Sequence, residues 1–186
     1  MFKSKLLPTL TAAVAFLSIP STAYAATYID TQATTIPASA CRPSSDSEDA
    51  KVSLSNGAYV FNNSAPGTVT VTFYCPLPIN GFSISQPEDQ NAIAGYRVYF
   101  RDSDGPGNSA SIKTRLTYRT SDGLHSVGTE WNSNSNKATN NTSYYINLKH
   151  DLGFSRLYAF YITMSRSNKN LDPAFSGIDF VPLPSS

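Results

Sequence analysis

The sequence has little charge and few of the residues on which catalytic and metal sites depend. Only 15% of its 186 residues are charged, 14 basic against 13 acidic, and it contains two histidines, two cysteines and one tryptophan. A near-neutral balance gives no general attraction to nucleic acid or membrane surfaces. Two cysteines are too few for a structural zinc site, and their spacing is not that of a redox motif. We therefore expect no cofactor and no nucleic-acid partner.

Recognisable catalytic and phosphate-binding motifs are also missing. The sequence has no Gly-x-Ser-x-Gly, no His-Glu-x-x-His and no phosphate-cradling glycine loop. His125 and His150 fall at the ends of separate predicted strands, and a triad built from distant strands is defined by geometry rather than by order in the chain. We expect a protein that is not an enzyme, with a secreted hydrolase or lyase as the alternative.

The one long apolar run lies at the N-terminus. Lys3 and Lys5 precede an apolar segment at residues 6–19, and Ala23-Tyr24-Ala25 places small residues where a signal peptidase requires them. This order is typical of a secretory signal peptide, and the segment is too short for a membrane span. We expect a signal peptide at residues 1–25, cleaved near Ala25, and a single secreted or periplasmic domain at residues 26–186.

Alternating apolar and polar side chains dominate the rest of the chain. In residues 68–75 every second side chain from Val69 to Cys75 is apolar, and Pro76 ends the run. Further strands are predicted at residues 34–37, 52–54, 58–62, 82–84, 96–101, 110–119, 124–131, 143–149, 156–165 and 177–181, and no helical periodicity extends over a useful length. The pattern predicts an all-β, antiparallel β-sandwich, with jelly-roll-like and immunoglobulin-like connections both open.

The two cysteines and the segments between strands give further expectations. Cys41 and Cys75 are an even pair in a chain expected to reach an oxidising compartment, which predicts one structural disulfide. Residues 55–57 (Ser-Asn-Gly) predict a tight turn between two strands. The acidic residues 44–49 and the Asn/Ser-rich residues 132–142 are expected to be exposed loops.

Residues 38–78 carry short motifs around these cysteines. They are Ala40-Cys41-Arg42-Pro43, Asn56-Gly57, Asn62-Asn63-Ser64 and Tyr74-Cys75-Pro76-Leu77. This part of the chain resembles the N-terminal half of small exported bacterial proteins of uncharacterised function, which share a Cys-x-Pro start and a Cys-Pro-Leu strand end. The resemblance implies no catalytic residue.

A basic surface is predicted on the strands at residues 96–101, 110–119 and 124–131, which we expect to form an antiparallel meander. Its outward face would carry Arg97, Tyr99, Arg101, Lys113, Arg115 and Arg119. In a symmetric hairpin Arg97 faces Arg115, and like charges directly opposite are destabilising unless the register is offset, carboxylates intervene or an anion binds. The patch is a candidate site for an acidic glycan, an anionic surface or a partner protein, and a solvated basic face is the alternative.

Trp131 is a candidate for stacking on a sugar. It ends a predicted strand beside residues 132–142, where asparagine amides could bond sugar hydroxyls while the indole covers the ring. Because it shares a strand face with Val127, a core position is the competing interpretation. The sequence therefore predicts a non-enzymatic binding or surface-interaction module, with a carbohydrate-binding domain as an alternative that requires Trp131 or Tyr99 to be exposed beside the polar loops.

A calcium site is the remaining candidate. Asp102, Asp104 and Asn108 place oxygen atoms at alternating positions around a Gly-Pro-Gly turn, as in half of a calcium loop. The glutamate that completes an EF-hand is missing, and a hairpin turn accounts for the same residues. We expect no metal there on sequence grounds alone.

Overall fold

The computed structural model describes residues 34–77, 92–152 and 156–182. The predicted signal peptide at residues 1–25 and the predicted strand at residues 82–84 lie outside these described residues. Within them, no helix has the length and apolar character needed to cross a membrane.

Strands make up most of the described chain, as the alternation predicts. Their bounds are β1 (Thr34–Pro37), β2 (Arg42–Pro43), β3 (Val52–Ser55), β4 (Ala58–Phe61), β5 (Val69–Pro76), β6 (Ala92–Arg101), β7 (Ala110–Thr120), β8 (Gly123–Asn132), β9 (Thr142–Asp151), β10 (Leu157–Arg166) and β11 (Ala174–Pro182). Short helical turns lie at Ala38–Ala40, α1 (Asp46–Asp49) and Ser133–Ser135.

The strands form two antiparallel sheets. Sheet I has the order β3-β4-β11-β6-β9, with β1 also paired to β11, and sheet II has the order β2-β5-β10-β7-β8. From β4 to β7 each strand lies in the sheet opposite to the one before it, and the same alternation resumes from β8 to β11. This crossing pattern is that of a jelly roll. The predicted β-sandwich is confirmed, and of the two open arrangements the chain adopts the jelly-roll one.

Two central strands explain why the sheets stay together. In β5 the residues Val69, Val71, Phe73 and Cys75 are buried, and β10, which lies between β5 and β7, buries Phe160, Ile162 and Met164. A hydrogen bond of 2.8 Å between the hydroxyls of Tyr96 (β6) and Thr114 (β7) crosses the core from sheet I to sheet II. Burial raises the pKa of Tyr96 to about 12, because an ionised phenol would be poorly solvated there.

The predicted disulfide is confirmed between Cys41 and Cys75. Cys41 immediately precedes β2, and β2 pairs with β5 through Arg42 and Tyr74, so the bridge extends the ladder by one covalent link. The predicted tight turn is also present, since Asn56 and Gly57 both have positive φ, 50° and 81°. Two successive residues of this kind match the twist of a hairpin.

Three local predictions are wrong. The acidic segment is not all loop, because Ser45 accepts a hydrogen bond from the backbone N–H of Glu48 and caps the single turn α1. The Asn/Ser-rich segment is not fully exposed, since Ser133 is completely buried. The strands β6, β7 and β8 are not a meander: β7 and β8 form a hairpin, but β6 lies in the other sheet.

Candidate functional site

A row of polar and aromatic side chains crosses the outer face of sheet I. The register pairs Asp179 with both Thr35 and Arg97, and it pairs Arg97 in turn with Tyr145. Directly paired residues point to the same face of a sheet. Because the next residue along β6, Val98, is fully buried, the row faces away from the core.

Tyr99 and Asp179 form the strongest polar contact on this face. The Tyr99 hydroxyl donates a hydrogen bond of 2.5 Å to Oδ2 of Asp179. That bond and, to a smaller extent, burial raise the pKa of Tyr99, whereas nearby Arg97 acts to lower it. Among the described residues, Oδ1 of Asp179 has no hydrogen-bond partner. The face therefore holds a phenol, a carboxylate and a guanidinium close together, with acceptor capacity left over.

Tyr145 adds an aromatic ring to the same face. A Cβ atom placed on Gly95 would lie 2.7 Å from the Tyr145 hydroxyl oxygen and 2.2 Å from the carbonyl oxygen of Ile146. Only glycine allows this approach, so the phenol end of Tyr145 lies over β6 at Gly95. The Tyr145 side chain nevertheless remains 40% exposed, and its ring is available for contact from solvent.

Tyr99 and Asp179 also line an open depression of about 700 Å³. The remaining lining is mostly hydroxyl and amide groups from Thr35, Asn141, Thr142, Ser143 and Ser176, together with Phe100 and Gly177. An open concavity that combines hydroxyl, amide and carboxylate groups with apolar surface suits a hydroxylated ligand, which has both polar and apolar faces.

The predicted basic patch does not exist as one surface. Arg97, Tyr99 and Arg101 belong to sheet I, whereas Lys113, Arg115 and Arg119 belong to sheet II, and the outer faces of the two sheets point in opposite directions. Arg97 faces Asp179 and Tyr145 rather than Arg115. The turn-forming residues 102–109 connect two sheets instead of closing a hairpin, which explains how the chain avoids placing like charges opposite each other.

Most of the remaining basic side chains already have partners. Arg101 donates to the backbone carbonyl of Asp172 and forms an ion pair of 3.0 Å with its carboxylate. Lys113 lies 3.7 Å from Glu130. The guanidinium of Arg115 lies 4.9 Å from the ring centroid of Tyr161, in a cation–π arrangement. The contacts of Lys113 and Arg115 fit an internally balanced surface on sheet II.

Trp131 is a core residue and not a stacking platform. It is only 9% exposed, its ring centroid lies 5.0 Å from that of Phe100, and the ring of Tyr144 stacks on it at 5.2 Å. The candidate role in glycan stacking is therefore wrong. Tyr145 is instead an exposed aromatic ring beside polar groups, and no sequence pattern distinguishes it among eleven tyrosines.

The two histidines come together although they lie in different sheets. The ring of Tyr118 stacks with His125 at 4.9 Å and with His150 at 6.1 Å. Nε2 of His125 faces both the Thr120 hydroxyl, at 3.1 Å, and the Asp122 carboxylate, at 3.4 Å. A catalytic triad uses the two opposite ring nitrogens, so this arrangement does not form a nucleophile–histidine–carboxylate relay.

His150 is partly buried and is held by a tyrosine hydroxyl. Its Nε2 lies 3.0 Å from the Tyr158 hydroxyl. Burial lowers the pKa of His150, the positive charge of Arg156 lowers it further, and Asp151 acts in the opposite direction. The neutral imidazole is thus favoured, which suits a packing role at the end of the sandwich.

The calcium candidates lie between the two sheets. Asp102 is fully buried, and burial, aided by neighbouring Asp104, raises the pKa of Asp102 to about 6, although a hydrogen bond from Ser133 opposes the shift. The Asp104 carboxylate accepts the backbone N–H groups of Ser109 and Ala110 at 2.8 and 3.2 Å, as a turn residue does. The described residues contain no group of three or more His, Cys, Asp or Glu side chains that could hold a metal.

Comparison with known proteins identifies no family. No family model matches the sequence, and no curated protein matches it. Solved structures with a similar arrangement of strands include the CBM22-1–GH10 modules of Clostridium thermocellum xylanase 10B in complex with xylohexaose, at a TM-score of 0.46 and 11% identity over 83% of this chain and 28% of that one.

Two smaller domains are similar over almost their whole length. The CBM36-1 domain of a multidomain xylanase from the hindgut metagenome of Trinervitermes trinervoides has a TM-score of 0.44 and 10% identity over 83% of this chain and 100% of its own. The low-affinity xylan-binding module CBM86 from Roseburia intestinalis has a TM-score of 0.43 and 13% identity over 82% of this chain and 96% of its own.

Other matched proteins are much longer than this chain, which spans 46% of one carbohydrate-binding-module structure and 36% of a family two carbohydrate esterase from Cellvibrio japonicus. With identities and TM-scores this low, the ligand of this chain has to be inferred from its own contacts.

Proposed function

We propose that this protein is a carbohydrate-binding module that holds a glycan on the outer face of sheet I. The observation that carries the proposal is the Tyr99–Asp179 hydrogen bond, which lies beside Arg97 at the depression of about 700 Å³. Sugar hydroxyls both donate and accept hydrogen bonds, and bonds to charged partners are the stronger ones. A depression of this size lies within the usual range of ligand sites, about 300–1,000 Å³.

Tyr145 completes the proposed site at the β9 end of the row. A tyrosine offers a flat apolar ring with a polar tip, and it loses little conformational freedom when a ligand covers it. Tyr145 is held over Gly95 by a close backbone approach, so its ring is already positioned before a ligand arrives. Preorganisation of this kind lowers the entropic cost of binding.

The charges on this face favour a neutral glycan over an acidic one. Arg97 faces Asp179 in the register, and Arg101 is paired with Asp172. The expectation of an acidic glycan or an anionic surface depended on a continuous basic patch. The part of that patch on β7 belongs to sheet II, on the opposite side of the molecule. A row with one cation beside one anion suits a ligand that is rich in hydroxyls and carries no net charge.

We also propose that the protein acts outside the cytoplasm and without catalysis. The basic, apolar and small-residue order at residues 1–25 supports export, and the Cys41–Cys75 disulfide is compatible with an oxidising compartment. The two histidines take part in ring stacking around Tyr118, and His125 presents the same nitrogen to its hydroxyl and carboxylate neighbours.

Binding should be tested by calorimetric titration with soluble neutral polysaccharides, such as xylans, mannans and mixed-linkage glucans, and with polygalacturonate as an acidic counterpart. Tyr145→Ala and Asp179→Asn should each weaken the binding of the preferred neutral glycan by at least about tenfold, which corresponds to about 1.4 kcal/mol. The recovered glycan should have unchanged chain length after prolonged incubation.

The matched control is Tyr74→Ala. Tyr74 lies on the outer face of sheet II and is 41% exposed, almost the same as Tyr145 at 40%. The Tyr74→Ala variant should bind the glycan as the parent protein does. Loss of binding in the Tyr74 variant but not in the Tyr145 variant would place the site on sheet II, and absence of binding to every polysaccharide would reject the proposal. Cleavage that is lost in His125→Ala or His150→Ala would reject the non-catalytic part.

A further inference from the structure

The C-terminal end of β9 is held against sheet II by aromatic side chains. His150 lies near the end of β9, which forms an edge of sheet I and has its ladder with β6. Tyr118 and Tyr158 lie on β7 and β10 of sheet II. The His150 ring stacks with that of Tyr118 at 6.1 Å and meets that of Tyr158 edge-on at 5.6 Å. These rings therefore join the edge of one sheet to the other sheet.

The polar contact within this group depends on the proton of His150. Its Nε2 lies 3.0 Å from the Tyr158 hydroxyl. A neutral imidazole can accept the hydroxyl proton at this nitrogen, whereas both nitrogens of an imidazolium carry hydrogen and can only donate. The Tyr158 hydroxyl also lies 3.5 Å from the backbone carbonyl of Asp151. Protonation of His150 would therefore reverse the first bond and turn the hydroxyl proton toward the more distant carbonyl.

A proton on His150 would also bring a second positive charge to a site that already holds one. The guanidinium of Arg156 lies 4.5 Å from the ring centroid of Tyr118, the ring on which His150 stacks. Burial and this guanidinium both lower the pKa of His150. The titratable and charged groups that the structure describes around His150 are Tyr118 of β7, His125 of β8, Tyr158 of β10, Arg156 and Asp151, while β6 presents the uncharged Ala92 and Ile93.

The second histidine of the group differs in its counterion. His125 also stacks on Tyr118, but its Nε2 lies 3.4 Å from the carboxylate of Asp122. None of the ion pairs between described residues includes His150. A positive charge therefore gains a partner on His125, whereas on His150 it is opposed by Arg156 and by burial.

The backbone that leads into His150 is strained. Lys149 has a φ of 50°, in the left-handed region that is costly for residues other than glycine. It belongs to a bulge, where the ladder between β6 and β9 shifts from the pair Gly95–Asn147 to the pair Ile93–His150. A conformation of this kind persists only where the surrounding contacts hold it. The end of β9 beyond the bulge thus depends on the contacts of His150.

We propose that His150, Tyr118 and Tyr158 form an acid-sensitive latch, which holds the end of β9 against sheet II and releases it when His150 takes up a proton. An edge strand beyond a bulge is suited to such local opening, because it can separate while the rest of the sheet stays paired. The latch goes beyond glycan binding. Its tests use no glycan, so the latch and the proposed function can fail independently.

The direction of the pH effect follows from the two states of the latch. In the released chain His150 takes up a proton near the ordinary pKa of 6.5, whereas in the closed latch its pKa is lower. The stability that the neutral latch contributes is therefore present above about pH 6.5 and is lost as the pH falls below that value. One linked proton changes the opening equilibrium constant by at most about tenfold per pH unit.

Amide hydrogen exchange, corrected for the intrinsic effect of pH, measures the opening directly. Between about pH 7.5 and 5.5 the protection of residues 146–151 in the parent protein should fall by roughly three- to tenfold, the range open to one linked proton. His150→Gln keeps a polar side chain that does not titrate, and it should remove this pH dependence even where it lowers protection at every pH. The matched control is His125→Gln, which should retain the dependence.

A titration of the His150 ring by NMR tests the same proposal in a protein whose latch residues are unchanged. The sequence has two histidines, so His125→Gln leaves a single imidazole signal. That signal should titrate below pH 6.5.

Four results would overturn the latch. They are protection of residues 146–151 that is independent of pH in the parent, a pH dependence that His150→Gln retains, a pH dependence that His125→Gln removes, and a His150 signal that titrates at or above pH 6.5.

Discussion

The Tyr96–Thr114 hydrogen bond shows how one polar pair in an apolar core can hold two sheets in register. Both side chains are fully buried, and their hydroxyls lie 2.8 Å apart across the space between β6 and β7. Each hydroxyl has the other as its partner, so neither is left without a hydrogen bond when water is excluded. The pair thus gives a directional contact where surrounding apolar contacts are non-directional.

Removal of both hydroxyls of this pair should cost less than the sum of the two single removals. Tyr96→Phe leaves the Thr114 hydroxyl buried without its partner, and it should lower the free energy of unfolding by about 1–3 kcal/mol. Thr114→Val should have a similar effect for the same reason. Because the double variant leaves no unpaired hydroxyl, it should be less destabilised than the sum of the two single variants.

Urea unfolding of the four proteins measures this difference. A double variant whose loss of stability equals the sum of the single losses would mean that the hydrogen bond makes no contribution of its own.

At the residue scale, the sequence predicted which way side chains point but not what they meet. The period of two in a strand is a local property, so the alternation correctly placed Arg97 outward and Val98 inward. The partners of Arg97 are Asp179 on β11 and Tyr145 on β9, and no local pattern connects these three residues. For this reason the proposed glycan site could not be assembled from the sequence.

At the scale of elements, β5 illustrates how much of the fold was predictable. Its alternation, its cysteine and its terminal proline predicted a strand at residues 68–75, and the strand spans Val69–Pro76. The pairing of β6 with β7 was wrong because the residues 102–109 carry ordinary turn signals. Such signals mark where a strand ends and do not show whether the chain returns in the same sheet or crosses to the other one.

The disulfide joins elements that otherwise share only a short ladder. β2 pairs with β5 at just Arg42 and Pro43, and Cys41 and Cys75 continue that pairing covalently. Both cysteines are almost completely buried, at 1% and 0% exposure. The bridge therefore fixes the N-terminal part of the described chain to sheet II.

The Cys41→Ala/Cys75→Ala variant should unfold with a free energy about 2–5 kcal/mol lower than that of the parent, since the unfolded chain regains the freedom that the closed loop had removed. Chemical unfolding of oxidised and variant proteins at the same pH measures the difference. The oxidised parent treated with a reductant is the natural control and should approach the stability of the variant. Equal stability of the oxidised and variant proteins would show that the ladder alone fixes this segment.

At the scale of the whole molecule, the choice between a jelly roll and an immunoglobulin-like sandwich depends on contacts between distant strands. In sheet I, β11 lies between β4 and β6, and in sheet II, β10 lies between β5 and β7. Each of these placements joins a C-terminal strand to one much earlier in the chain. The sequence predicted the number and character of the strands well enough for a sandwich, but such long-range pairings leave no local signature.

Trp131 provides a probe for whether the two sheets dock and unfold as one unit. It belongs to β8 of sheet II and packs on Phe100 of β6 in sheet I, with the ring centroids 5.0 Å apart. Its fluorescence should therefore report on separation of the sheets, whereas far-ultraviolet circular dichroism reports on loss of the strands. If the sandwich is one cooperative unit, both signals should change at the same denaturant concentration.

Phe100→Leu should shift both transitions together, with a loss of about 1–3 kcal/mol, because it removes part of the contact between the sheets without adding a polar group. A fluorescence transition that precedes the loss of circular dichroism, in either protein, would contradict this prediction, since the sheets would then come apart while their strands were still paired.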